Sequence, residues 1–147
     1  MPNWCQNHLT VNGATPEFRA WLEGGFSFQR MKPVIPADSP TQCPAWGTKW
    51  DLDDNEQREV ASELLEIGTS FFDTAWSPPL GALTALSAMF PDDTLVLDYH
   101  EPGMGFAGRA IFEGGGCDDE STDETAEVNR IACEIFGWDF DEEESVS

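Results

Sequence analysis

Apolar residues in this chain recur with two spacings, every second position and every third or fourth, and the two patterns take turns along its length. From Trp4 to Val11, Trp4, Leu9 and Val11 are apolar, Thr10 is β-branched, and Asn12-Gly13 follows as a turn signal; this predicts a strand. Thr15-Pro16-Glu17 then opens a helix, with Thr15 as N-cap and Pro16 in the first position. Phe18, Trp21 and Leu22 share one face of it, and Gly24-Gly25 ends it. Phe26 to Met31 is expected to be a short strand. Lys32 to Ala45 carries Pro33, Pro36, Pro40 and Pro44 and reads as a loop.

Asp53 to Ile67 reads as a helix with Val60, Leu64 and Ile67 in its apolar stripe and Gly68 as its stop. Thr69 to Trp76 reads as a strand rich in aromatic and β-branched residues. Ser77-Pro78-Pro79 is expected to start a helix with Ser77 as N-cap, and Leu80, Leu83, Leu86, Met89 and Phe90 form its apolar face. Pro91-Asp92-Asp93 closes it. Thr94 to Tyr99 is a strand with Leu95, Leu97 and Tyr99 on one side and Val96 on the other. Phe106 to Glu113 is its return partner across a glycine-rich hairpin, and Gly114-Gly115-Gly116 is a break. Thr122 to Phe136 is the last helix, capped by Thr122 and buried along Val128, Ile131, Ala132, Ile135 and Phe136, with Gly137 after it.

The resulting order is β-α-β, a loop, α, then β-α-β-β-α. The later part fits a split βαβ unit. The fold expected is α+β: a single ferredoxin-like domain over residues 1–147, an antiparallel sheet with helices packed on one face, plus an acidic C-terminal helix and tail. At 147 residues and 40% hydrophobic content, with ten Phe and six Trp, the chain has the material for one real core.

Charge changes the picture more than any motif. The chain has 28 Asp and Glu against 7 Lys and Arg, a formal net charge of −21. From Cys117 to Ser147 there are twelve acidic residues and one basic one, Arg130. Such a chain is repelled by nucleic acid and anionic membranes and attracted to basic surfaces. No apolar run approaches a membrane span, and the start, Met1-Pro2-Asn3-Trp4-Cys5, has no signal-peptide pattern, so a cytoplasmic protein is expected. Reduced thiols are therefore the reading for Cys5, Cys43, Cys117 and Cys133. No cofactor or metal is expected: there is no Cys-x-x-Cys, and Cys5 and His8 fall on opposite faces of a strand.

Four stretches resemble a known family: Met1-Pro2-Asn3-Trp4-Cys5-x-Asn7, Trp46-Gly47-Thr48-Lys49-Trp50-Asp51, Phe72-Asp73-Thr74-Ala75-Trp76-Ser77-Pro78-Pro79, and Tyr99-x-Glu101-Pro102-Gly103-Met104-Gly105-Phe106-Ala107-Gly108. Together they are similar to the phage- and plasmid-borne YubB-like, Api-type family, whose domain is ferredoxin-like. The resemblance spans roughly residues 1–13 and 46–113. It implies a mobile-element protein working inside a bacterial host, and it implies no reaction. The acidic helix at 53–67 and the acidic end lie beyond the shared motifs.

Two kinds of site compete. In one, Trp46, Trp50 and Trp76 form a stacking pocket for a small ligand or nucleotide with Lys49 pointing in; the structural alternative is that the indoles anchor the loop to the sheet. His100-Glu101 is a weaker acid–base candidate. In the other, the carboxylates act. Glu56, Glu59, Glu63 and Glu66 repeat every three to four residues as a helical ridge, roughly 5 Å per turn, comparable to the phosphate spacing of a polyanion. Asp118, Asp119, Glu120, Asp123, Glu124, Glu127, Asp141, Glu142, Glu143 and Glu144 supply the rest. The leading expectation is a non-enzymatic inhibitor that imitates nucleic acid and occupies the basic nucleic-acid-binding surface of a host defence complex, such as a CRISPR effector or restriction enzyme. It would bind no nucleic acid directly and touch no membrane, and a homodimer through an exposed strand is allowed. An acidic interaction module without nucleic-acid competition is the remaining alternative.

Overall fold

The computed structural model describes residues 4–12, 14–32, 46–48 and 51–137. Most of the expected proline-rich loop, the acidic tail from 138 onward, Lys49 and Trp50 lie outside the described residues. The elements are β1 (Trp4–Asn12), α1 (Pro16–Glu23), α2 (Phe28–Met31), α3 (Asp54–Ile67), β2 (Thr69–Ala75), α4 (Leu80–Met89), β3 (Thr94–Glu101), β4 (Phe106–Glu113), β5 (Gly116–Thr122) and α5 (Thr125–Phe136).

The five strands form one antiparallel sheet in the order β2-β1-β3-β4-β5. Both β2 and β3 run antiparallel to β1, which lies between them, so β2-α4-β3 is the expected split βαβ unit. The fold is the α+β, ferredoxin-like one, with α1 to α4 on one face.

Alternation decides which side chains fill that face. Cys5, Leu9 and Val11 of β1, Phe72 of β2, Leu95, Leu97 and Tyr99 of β3, and Ala110 and Phe112 of β4 are all buried in one core. Phe18 and Leu22 of α1, Val60, Ala61 and Leu64 of α3, and Ala82, Leu83 and Leu86 of α4 cover them. Thr15 caps α1 through the Phe18 N–H, and its own N–H and hydroxyl both donate to Asp93, at 2.8 Å each. This ties the start of α1 to the entry of β3.

The opposite face of the sheet carries His8, Phe71, Asp98, His100 and Arg109 on successive strands. The acidic C-terminal helix α5 lies here. Phe136 sits 6.0 Å from the Phe71 ring and 6.1 Å from His100, centroid to centroid. Val128 and Ala132 are buried, while Ile131, Ile135 and Phe136 are half-buried.

Three local expectations are corrected. Residues 28–31 form a short helix rather than a strand, because the Asp51 carboxylate accepts the Phe28 and Gln29 N–H groups and holds a helical first turn. Ser77 does not cap α4: that helix begins at Leu80 with Pro79 before it, and the Ser77 hydroxyl donates instead to the Gly47 carbonyl. The segment after Gly114-Gly115 is the fifth strand, and α5 starts at Thr125 with Glu124 in the cap position rather than Thr122.

Candidate functional site

The tryptophan-centred motifs converge on one polar knot at the end of β1 and β2. The Asn7 amide nitrogen, fully buried, donates to the Cys5 and Phe72 carbonyls and to the Thr74 hydroxyl at 2.9 Å. Thr74 donates to the Ser77 carbonyl at 2.7 Å, Ser77 to the Gly47 carbonyl, and the buried Thr48 to the Ala75 carbonyl at 2.7 Å. Asp51 accepts from the Ser27 hydroxyl and from the Phe28, Gln29 and Leu52 N–H groups. Trp46 is 2% exposed, and its indole N–H donates to the Lys32 carbonyl at 2.8 Å.

These contacts bear on the stacking-pocket expectation. A ring sealed in the core against Phe28 offers no face to a ligand, so Trp46 serves packing. Trp76 is 41% exposed and holds a left-handed φ of 76°, an outlier for a bulky residue that the surrounding knot imposes. Lys49 and Trp50 lie outside the described residues.

The His100-Glu101 pairing does not form. Neighbours on a strand point to opposite faces, and Glu101 is fully buried, with its two oxygens accepting the Gly103 and Met104 N–H groups at 2.7 Å each. His100 instead meets Gln6 at 3.1 Å. Cys5 and His8 also face opposite sides of β1. Among the described residues no group of three or more His, Cys, Asp or Glu is arranged to hold a metal, and Cys5, Cys117 and Cys133 are free.

The carboxylates are divided between the two edges of the sheet. The α3 ridge flanks β2: Glu63 accepts from the Ser70 hydroxyl at 2.5 Å, Glu59 and Glu66 are exposed, and Glu56 is half-buried. Burial, then the neighbouring Asp53 charge, raise the Glu56 pKa. Asp118, Asp119 and Glu120 occupy β5, four strands away or roughly 19 Å at ordinary strand spacing. The ridge and the C-terminal acids are therefore two surfaces and not one continuous array. Asp141, Glu142, Glu143 and Glu144 lie outside the described residues.

At the β5 edge the acids do form a unit. Gly116 to Ser121 are exposed along their whole length. Asp118 and Glu120 point to the α5 side, while Asp119 points to the core side and is held at 2.6 Å by the Tyr99 hydroxyl. Glu120 sits across from Arg109, which itself grips Asp98 through two nitrogens at 2.7 and 3.3 Å. A cleft of about 400 Å³ separates α5 from this part of the sheet, walled by Asp98, Glu120, Glu127 and Glu134 against Arg109 and Arg130. Arg130 is spent on Glu127 and Glu134, both at 2.9 Å. Asp123, Glu124 and Glu127 continue the exposed acidic surface from β5 into α5.

A family model described as the ferredoxin-like domain in Api92-like protein matches residues 45–145, more than half of the chain. The chain belongs to the Api92-like family. The matched stretch starts after β1, yet β1 is the strand that joins β2 to β3, so the Api92-like domain in this chain is completed by residues 4–12. No curated protein and no solved structure matches the chain. The membership carries the ferredoxin-like fold and no catalytic assignment. No helix among the described residues is long and apolar enough to cross a membrane.

Proposed function

We propose that this Api92-like protein is a non-enzymatic inhibitor carried by a mobile element. It presents folded carboxylates to the basic nucleic-acid-binding groove of a host defence nucleoprotein, such as a CRISPR effector or a restriction enzyme. The observation that carries the reading is the β5 edge, exposed from Gly116 to Ser121, with Asp118, Asp119 and Glu120 in succession and Asp123, Glu124 and the Arg130-paired Glu127 following toward α5. Asp118 and Glu120 stand on one face of a strand about 6.6 Å apart. They are held by the sheet, so little ordering entropy is lost when a cationic groove closes on them. The net charge of −21 steers the chain to such a groove and away from nucleic acid itself.

The α3 ridge is a separate surface in this reading. Its Glu56 is half-buried, and Glu63, though exposed like Glu59 and Glu66, accepts a bond from the Ser70 hydroxyl. The β5–α5 edge is the primary contact and the ridge a secondary one. The small-ligand reading has no comparable support, since Trp46 is sealed in the core.

The test is the salt dependence of binding to a purified nucleic-acid-binding effector. A contact made by carboxylates in a phosphate channel weakens steeply as salt rises. Binding that does not change between about 50 and 500 mM salt would contradict the electrostatic reading, because the Debye length shrinks several-fold over that range.

A further inference from the structure

The hairpin between β4 and β5 fixes which backbone groups of β5 face outward. Gly114 and Gly115 form a two-residue loop, both with positive φ, at 57° and 86°. A turn of this kind makes its flanking residues, Glu113 and Gly116, a hydrogen-bonded pair. Pairs then alternate along an antiparallel ladder. Asp118 with Ile111, Glu120 with Arg109 and Thr122 with Ala107 direct their backbone groups into β4. Cys117, Asp119 and Ser121 direct theirs away from it. No described residue lies beyond β5 in the sheet, and no contact within the described residues takes up these outward N–H and C=O groups. They form an open ladder about 13 Å long.

An open edge can accept another strand, and its side chains decide which one. A second copy of this chain is disfavoured, because it would set Asp118 to Glu120 against the same acids. Lysine or arginine at alternate positions of an added strand would stand opposite Asp118 and Glu120, on the side that also carries Glu127. We infer that β5 receives a basic extended segment by strand addition, with Cys117, Asp119 and Ser121 supplying the backbone bonds and Asp118 and Glu120 reading the cations. This rests on the proposed contact with a basic partner and names its form: an extended Lys/Arg-rich segment at the margin of the groove.

The test uses the full chain and an eight-residue peptide alternating lysine and threonine. Amide hydrogen exchange on the unaltered protein gives the direct readout. At saturating peptide the Cys117, Asp119 and Ser121 amides should slow more than tenfold, while the Asp118 and Glu120 amides, already facing β4, should change little. Unchanged exchange at all three outward amides under saturation overturns the inference.

Two variants separate this inference from the reading beneath it. Ser121→Pro keeps every charge and removes one outward N–H. It should weaken peptide binding at least tenfold, as should a peptide N-methylated at alternate residues on the unaltered protein. The Asp118→Asn/Glu120→Gln variant keeps the edge open and should lose both affinity and salt dependence. If Asp118→Asn/Glu120→Gln loses binding while Ser121→Pro and the N-methylated peptide bind fully, strand addition is wrong and the acidic contact stands. If none of the three changes alters binding, both are wrong.

Discussion

The Tyr99 hydroxyl donates to the Asp119 carboxylate at 2.6 Å, passing over Gly108. Tyr99 is buried in the core on β3 and Asp119 lies on the exposed edge strand, so this bond ties the acidic edge to the centre of the sheet. It also raises the tyrosine pKa, after burial itself, since a phenolate beside a carboxylate is doubly disfavoured. Tyr99→Phe keeps the ring and removes the bond. The expected loss is about 1.5–3 kcal/mol in denaturant unfolding, the range for a hydrogen bond to a charged group. Amide exchange along β5 should speed up; unchanged stability would mean that the edge is held by backbone pairing alone.

Gly108 makes that crossing possible. A Cβ there would lie 2.5 Å from the Tyr99 hydroxyl oxygen and 2.5 Å from the Glu120 carbonyl oxygen. The carbonyl belongs to backbone that cannot swing aside, so Gly108→Ala must spread β4 from β5. A cost of about 1–3 kcal/mol is expected, as for other overpacked sites, with a matching fall in Tm. A neutral result would contradict the close approach.

Asp51 tests whether the tryptophan loop is a structural device. Its carboxylate collects the Ser27 hydroxyl and three backbone N–H groups. Asp51→Ala strands those donors and should cost about 2 kcal/mol or more, the upper range for loss of a helix cap. Asp51→Asn should recover part of it. Binding to a basic partner should survive both variants if they remain folded, because the loop does not belong to the β5 surface.

Stability should also depend on pH through the histidines. Burial holds both His8 and His100 below the ordinary imidazole value of 6.5; for His8 the Asp98 charge opposes this and Arg109 adds to it. The fold favours the neutral rings, so the unfolded chain binds more protons below pH 6.5. Their contribution is full above about 6.5 and is lost as the pH falls toward the folded-state values. Asp73 and Glu56, raised chiefly by burial, act in the opposite sense at lower pH: their contribution is full below the ordinary carboxylate range and lost as pH rises through the raised values. Urea unfolding at pH 7.5 and 6.0 should therefore show a loss at the lower pH that a His8→Gln/His100→Gln variant reduces. An equal loss in the variant would place the titrating groups elsewhere.

Much of this architecture is legible in the chain because its signals are local. The cap and proline at Thr15-Pro16, Val60 and Leu64 in the apolar stripe of α3 and the alternation of Leu95, Leu97 and Tyr99 each lie within one element, whereas Ile67, expected in that stripe, is 71% exposed and Ala61 is buried in the core. The failures come from signals that are distant or absent. The α2 turn at residues 28–31 depends on Asp51, more than twenty residues away. Ser77 has the composition of a cap, but its hydroxyl is claimed by Gly47. The strand β5 has no apolar alternation, and Asp and Glu are poor strand formers, so only the Gly114-Gly115 pair beside a strong strand marks it as half of a hairpin. The separation of the α3 ridge from the β5 acids follows from strand order, which charge counting along the chain does not reveal.

The most direct measurement of the central claim is competition on a defence nucleoprotein bound to labelled DNA or RNA, followed by anisotropy as this protein is added. The unaltered chain should release the nucleic acid. An Asp118→Asn/Glu120→Gln/Glu124→Gln/Glu127→Gln variant should fail to do so, whereas Glu59→Gln/Glu66→Gln on α3 should have a smaller effect. Nucleic acid that stays bound at saturation, or that the β5–α5 variant releases as readily as the unaltered protein, would contradict the account.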